Sequence, residues 1–195
     1  MVNPFSAKMI RPGAIPFLFD GGTTAASLVD LFESRDYRGE IVGPHGSGKS
    51  TLLVALAEEM QSRGVTVRQV ALHDGQRRLP ADFLRELKSV SQDIDSDCKA
   101  VAVVDGYEQL GVLPRFLLKR FCRRRKLGLL VTSHRTVGFP ALHETATNPD
   151  LAAGIAQTML ELAGADERSM DAIRPHIEPL FAKHSGDIRE VLFGL

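Results

Sequence analysis

The chain has 195 residues, enough for one α/β domain and a small appendage. Hydrophobic residues at 44% and charged residues at 25% exclude a disordered or fibrous chain, and aromatics at only 6% call for a mainly aliphatic core. Lys+Arg and Asp+Glu balance at 24 each, which argues against a surface coated in positive potential for nonspecific nucleic-acid binding.

Met1–Phe19 is punctuated by Pro4, Pro12, Gly13 and Pro16. That pattern fits neither a signal peptide nor a transit helix. No apolar run approaches the ~18 residues of a membrane span. Cys98 and Cys122 lack metal-ligand spacing, so a reducing cytoplasm is the expected location. Pro4–Gly22 reads as an extended surface arm, and Ala25–Phe32 as a short helix.

A regular rhythm begins at Gly39. Glu40–Val42 reads as the end of an apolar strand, and residues 49–63 as a helix with Leu52, Leu53, Leu56 and Met60 on one stripe. Val65–Leu72 is β-rich. Pro80 opens a helix carrying Phe83, Leu84, Leu87 and Val90. Ala100–Val104 and Leu127–Val131 are short continuous apolar runs, as in strands buried on both faces. Between them Pro114 opens a helix expected to turn Leu117, Leu118, Phe121 and Cys122 inward. Strands alternating with helices imply α/β architecture with a parallel sheet. Phe139–Thr145 offers one more edge strand. Asn148-Pro149-Asp150 then starts a helical segment in which no strand is evident. Ile173, Ile177, Leu180 and Phe181 form one stripe there, and Ile188, Val191, Leu192 and Leu195 another. The expected organisation is an arm at 1–38, a core at 39–147 and a helical, lid-like unit at 148–195. The chain ends on an apolar residue in or just after a helix, an ending expected of a longer chain that has been cut.

Gly43-Pro44-His45-Gly46-Ser47-Gly48-Lys49-Ser50 satisfies GxxxxGK[ST] between an apolar strand and an amphipathic helix. Gly46 and Gly48 let backbone N–H groups turn toward phosphate oxygens, and the helix N-terminus adds partial positive charge. Lys49 is expected to reach the β- and γ-phosphates, Ser50 to ligate Mg²⁺ and Thr51 to support the α-phosphate. Val101–Asp105 ends a buried strand in an acid, which suits a second magnesium ligand. Gly106 stands where many ATPases carry the glutamate that orients water, and Glu108 is the nearest alternative carboxylate. Its bland reading as a solvated loop acid stands level with that role. Thr132, Ser133 and His134 end the next strand, where ligands bind in open α/β sheets. Any of the three suits sensing of the γ-phosphate, and polarity alone does not choose among them. Ser185-Gly186-Asp187-Ile188-Arg189 puts an arginine in the first turn of a helix, against the dipole, a hint of a phosphate partner.

Together these motifs resemble the P-loop NTPases of the AAA+ and STAND group, over roughly residues 39–195. The resemblance implies a three-layer fold with strand order 5-1-4-3-2, a helical lid, ATP and Mg²⁺ as ligands, and Arg189 approaching the γ-phosphate. Asp105-Gly106-Tyr107-Glu108 departs from the AAA+ Asp-Glu and is similar to the Asp-Gly-aromatic-acid form of STAND proteins, often switches.

Arg115, Lys119, Arg120, Arg123, Arg124, Arg125 and Lys126 form a cationic block without an acid. It suits a solvated face, an arginine finger toward a neighbouring subunit, or a nucleic-acid contact. Without interleaved aromatics, single-strand binding is unsupported. Arg135 is another finger candidate. The leading expectation is an ATP-binding, Mg²⁺-dependent module, an ATPase, that converts nucleotide state into rearrangement of itself, an oligomer or a protein partner. The alternatives are a switch with little hydrolysis, a small-molecule kinase using His73-Asp74-Gly75, and an ABC-type ATPase, ranked last because no LSGGQ-like signature precedes Asp105.

Overall fold

The computed structural model describes residues 4–6, 10–91, 99–165 and 167–195. Cys98 lies outside the described residues. The chain divides into two compact units. One comprises Met1–Leu18, Gly43–Leu52 and Thr145–Leu195, the other Phe19–Val42 and Leu53–Glu144. The glycine-rich segment Gly43–Leu52 thus groups with the C-terminal helices.

The second unit holds a five-stranded, all-parallel sheet. Its strands are β1 (Arg38–Val42), β2 (Thr66–Ala71), β3 (Ala100–Asp105), β4 (Gly128–Ser133) and β5 (Ala141–Glu144). They lie in the order β2-β3-β4-β1-β5, which read from the β5 edge is 5-1-4-3-2. The register pairs Val42 with Ser133, Val104 with Val131, and Ala71 with Asp105. Strands β3 and β4 are central and buried on both faces, so neither shows polar alternation. On one face Ala102, Val104, Leu129 and Val131 pack with Phe83 and Leu87 of α3 (Ala81–Val90) and with Leu118 and Cys122 of α4 (Val112–Arg124). On the other face α1 (Ala25–Ser34) packs Phe32 against Gly39, where a Cβ would come within 3.2 Å of the ring. Helix α2 (Lys49–Ser62) buries Leu52, Leu53, Leu56 and Met60, the stripe its sequence shows.

Two apolar positions depart from expectation. Leu117 is 53% exposed and Leu84 is 37% exposed. Helix α4 begins at Val112, two residues before Pro114, and its inward stripe is set by Leu118 and Cys122; Leu117, one position before Leu118, turns about 100° away from it.

In the first unit α5 (Pro149–Leu162), α6 (Glu167–Lys183) and α7 (Ile188–Phe193) enclose a separate core built on Ala152, Ala156, Met159, Ile177, Val191 and Leu192. Asn148 caps α5 by accepting from Leu151 N at 2.7 Å. The arm expected to lie extended on the surface instead runs through turns and bends at residues 4–6 and 10–15 before irregular backbone at 16–20, and it contributes buried Phe5 and half-buried Ile10 and Ile15 to this core. Apolar spacing with no regular period hides such packing from the sequence.

Candidate functional site

The loop Gly43–Gly48 connects β1 to α2, and residues of the first unit surround it. Gly43 is buried against Thr145: a Cβ there would overlap the Thr145 hydroxyl and lie 2.5 Å from its carbonyl oxygen. Ser47, also buried, shares a 2.6 Å hydrogen bond with the Thr145 hydroxyl and donates to Pro44 O at 2.8 Å. The Lys49 ammonium is 9% exposed and donates to Gly43 O at 2.8 Å and Pro44 O at 2.6 Å. These carbonyls hold the side chain folded back over the loop. Pro44 and His45 are exposed, while Ser50 and Thr51 are half-buried in the first turn of α2.

Gly46 has φ +65°, and a Cβ there would overlap Asp187 Oδ1 and lie 2.9 Å from Ile188 N. The left-handed backbone and the close approach of α7 each demand glycine. Asp187 is the N-cap of α7, accepting from Arg189 N at 3.0 Å and Glu190 N at 3.4 Å. In the Gly-Asp-Ile-Arg stretch the aspartate therefore meets the loop glycine, and the Arg189 side chain is exposed. Thr145 and Asp187 escaped the sequence reading. A small polar residue after an edge strand and an N-cap aspartate were the available signals, and neither names its partner.

The second unit gathers the other candidates at the carboxyl ends of β3 and β4. Thr132, wholly buried, donates to Asp105 Oδ1 at 2.5 Å and accepts from Gly106 N at 2.9 Å. Gly106 has φ +76°, and a Cβ there would come within 2.9 Å of the Leu72 carbonyl. A glutamate at 106 would need both a strained φ and a displaced neighbouring strand, which is a steric reason for the Asp-Gly sequence.

Glu108 follows in a 3-10 turn at Tyr107–Gln109. Its Oε1 lies 3.0 Å from His134 Nε2, and its Oε2 is buried without a hydrogen-bond partner. Arg115 lies 5.5 Å from the Tyr107 ring centroid and donates to Glu108 O at 2.5 Å, so it belongs to the support of this turn and not to a solvated face. Ser133 donates to Arg135 O at 2.6 Å, which commits its hydroxyl to its own loop. Gln109 Nε2 donates to Asp74 at 3.0 Å, linking the His73–Gly75 turn to the same region. Tyr107 is fully buried, and burial pushes its phenol up to about 12.

No group of three or more His, Cys, Asp or Glu able to hold a metal exists among the described residues. No helix of the described residues is long and apolar enough to cross a membrane.

The sequence matches no family model and no curated protein. A solved structure of C. elegans PCH-2 is similar at TM-score 0.51 and 17% identity, over 74% of this chain and 47% of that one. The chain thus spans about half the length of that structure. At this identity the likeness speaks for the fold alone, a shared α/β architecture.

Proposed function

We propose that the chain binds a magnesium nucleoside triphosphate on Gly43–Thr51 and acts as an AAA+-like module that responds to nucleotide state. The observation that carries this reading is the loop itself. Its GxxxxGK[ST] sequence is bent by left-handed Gly46 and Gly48, at φ +65° and +85°, with the Lys49 ammonium held over it by two loop carbonyls. Backbone N–H groups in such a curl, at the start of α2, favour phosphate oxygens. A bound triphosphate supplies the competing acceptors that draw Lys49 from Gly43 O and Pro44 O.

In this reading Lys49 offsets β- and γ-phosphate charge, and Thr51 supports the α-phosphate. Ser50 and Asp105 serve as magnesium ligands, Asp105 being held by Thr132. Glu108 orients the attacking water, and Arg189 senses the γ-phosphate. Ser133 fits the sensing role less well than Thr132, because its hydroxyl is already spent on Arg135 O. ATP as the particular nucleotide, a cytoplasmic location and assembly into an oligomer or with a protein partner belong to the same proposal.

A second reading, a switch that binds nucleotide and turns it over slowly, is favoured by one observation. The backbone at Gly106 excludes the usual glutamate, and Oε1 of the substitute, Glu108, is already engaged by His134. Phosphate release from ATP by the purified chain, alone and with candidate partners including DNA, separates the two. The ATPase reading requires steady release that depends on Mg²⁺. Nucleotide binding without release supports the switch, and absence of both rejects the proposal.

A further inference from the structure

The amino-terminal edge of the sheet carries a second feature of interest, remote in topology from the strand ends just described. Arg38 opens β1, residues 138–140 lead into β5, and Arg123 lies in the last turn of α4. Arg38, Lys119, Arg123, Gly138, Phe139 and Pro140 line a cavity of about 150 Å³. All six belong to the second unit.

Three cations converge on this cavity, and none has an acidic partner within 4.0 Å among the described residues. Lys119 is not the tip of a solvated face. Its Nζ sits 4.1 Å from the Phe139 ring centroid and 3.3 Å from Val137 O. Burial lowers its pKa, with Arg123 and Arg115 adding repulsion, so the ammonium is held where its charge is costly. Arg38 lies beside the buried thiol of Cys122, which burial pushes up to about 11.

One carboxylate acts on the group. Glu40, wholly buried, favours the Lys119 charge. Its Oε2 accepts from Val137 N at 2.9 Å and Phe139 N at 3.4 Å, which fixes the loop forming the cavity wall. Counting Glu40 against the three cations leaves the cluster with two uncompensated positive charges. Two guanidinium groups supply planar, multidentate donors suited to phosphate oxygens, and Lys119 adds a point charge.

We propose that this cavity is a binding site for a phosphate-sized dianion, either inorganic phosphate or the phosphoryl group of a small phosphomonoester. It accounts for Lys119 and Arg123 of the cationic block, which the nucleotide-site reading leaves unused. The inference does not depend on nucleotide binding at Gly43–Thr51.

The test is calorimetric titration of the full chain with inorganic phosphate and, separately, with phenyl phosphate, in low-salt buffer free of other multivalent anions. The parent, Arg124→Gln, Lys119→Gln and Arg123→Gln are compared, with circular dichroism to verify folding. Arg123 is exposed, so Arg123→Gln retains the fold even if Lys119→Gln does not. The expected result is saturable binding that Arg124→Gln, an exposed change outside the cavity lining, leaves within about twofold and Arg123→Gln weakens at least about tenfold, as loss of one charge-assisted contact implies. Tighter binding of inorganic phosphate assigns the site to the free ion, and tighter binding of phenyl phosphate to an ester. No saturable binding, affinity unchanged in Arg123→Gln, or an equal loss in Arg124→Gln would overturn the proposal.

Discussion

Gly46 of the phosphate-type loop and Asp187, the cap of the last helix, are packed so closely that no Cβ fits between them. A side chain at 46 would overlap Asp187 Oδ1 and approach Cγ to 2.6 Å. Asp187 cannot simply swing away, because its carboxylate holds the N–H groups of Arg189 and Glu190. Gly46→Ala therefore incurs the left-handed strain of about 1–2 kcal/mol and disturbs a cap worth about 1 kcal/mol more. Gly64, at φ +79° with open space around it, provides the control. Thermal unfolding should show a larger loss of Tm for Gly46→Ala than for Gly64→Ala. Equal losses would mean that the contact with Asp187 contributes nothing.

Thr132 joins Asp105 to the N–H of Gly106 through one buried hydroxyl. Thr132→Val keeps the shape and removes the hydroxyl from both Asp105 Oδ1 and Gly106 N, an expected cost of about 1–3 kcal/mol in denaturant unfolding. Thr132→Ser restores the hydroxyl and should recover most of the loss. If the valine variant is as stable as the parent, the link is not structural.

The proposed function has Glu108 orient water, an interaction made mainly in the transition state. Where basal turnover is measurable, Glu108→Gln should lower kcat by about 10²-fold or more with nucleotide affinity nearly unchanged. Full retention of turnover removes Glu108 from the chemistry and leaves its pairing with His134 as a structural contact.

Tyr107 gives a prediction in alkali. Its folded pKa, about 12, lies above the ordinary phenol value of 10.0 that holds in the unfolded chain. The folded state therefore holds this proton more tightly. The corresponding stability is fully present below about pH 10 and is lost as pH rises toward about 12. Denaturant unfolding should show this decline in the parent and a shallower one in Tyr107→Phe, whose missing hydroxyl makes only a 3.4 Å contact to Arg115 O. Identical pH profiles would contradict the buried, neutral phenol.

Much of the fold is visible in residue patterns. The continuous apolar runs at β3 and β4 and the stripe on α2 mark buried elements, because burial on both faces or on one helical face leaves a period in the sequence. The strand order came through the resemblance carried by the loop motif, since periodicity does not encode which strands are neighbours. Leu117 shows the limit of reading a stripe: one residue of helical phase separates it from the buried Leu118. The candidate site was legible in its residue types and not in its pairings. Asp105, Thr132, Glu108 and His134 stand out as polar groups at strand ends, but the Thr132–Asp105 and Glu108–His134 contacts arise from the register of β3 against β4 and the path of the turn after β3. Glu40 could not be recognised as a wholly buried carboxylate, because its partners are backbone N–H groups almost a hundred positions away.

The central claim, that residues 43–51 bind a magnesium nucleoside triphosphate, is tested most directly by calorimetric titration of the parent and Lys49→Ala with Mg·ATP at fixed salt. Lys49 donates to the loop carbonyls of Gly43 and Pro44 and contributes no apolar core surface, so the variant should keep its fold by circular dichroism. The account predicts saturable binding by the parent and a loss of at least about tenfold in Lys49→Ala, since a charge-assisted contact to phosphate is worth about 1.5–3 kcal/mol. A folded variant that binds Mg·ATP as tightly as the parent, or a parent that does not bind it, would contradict the claim.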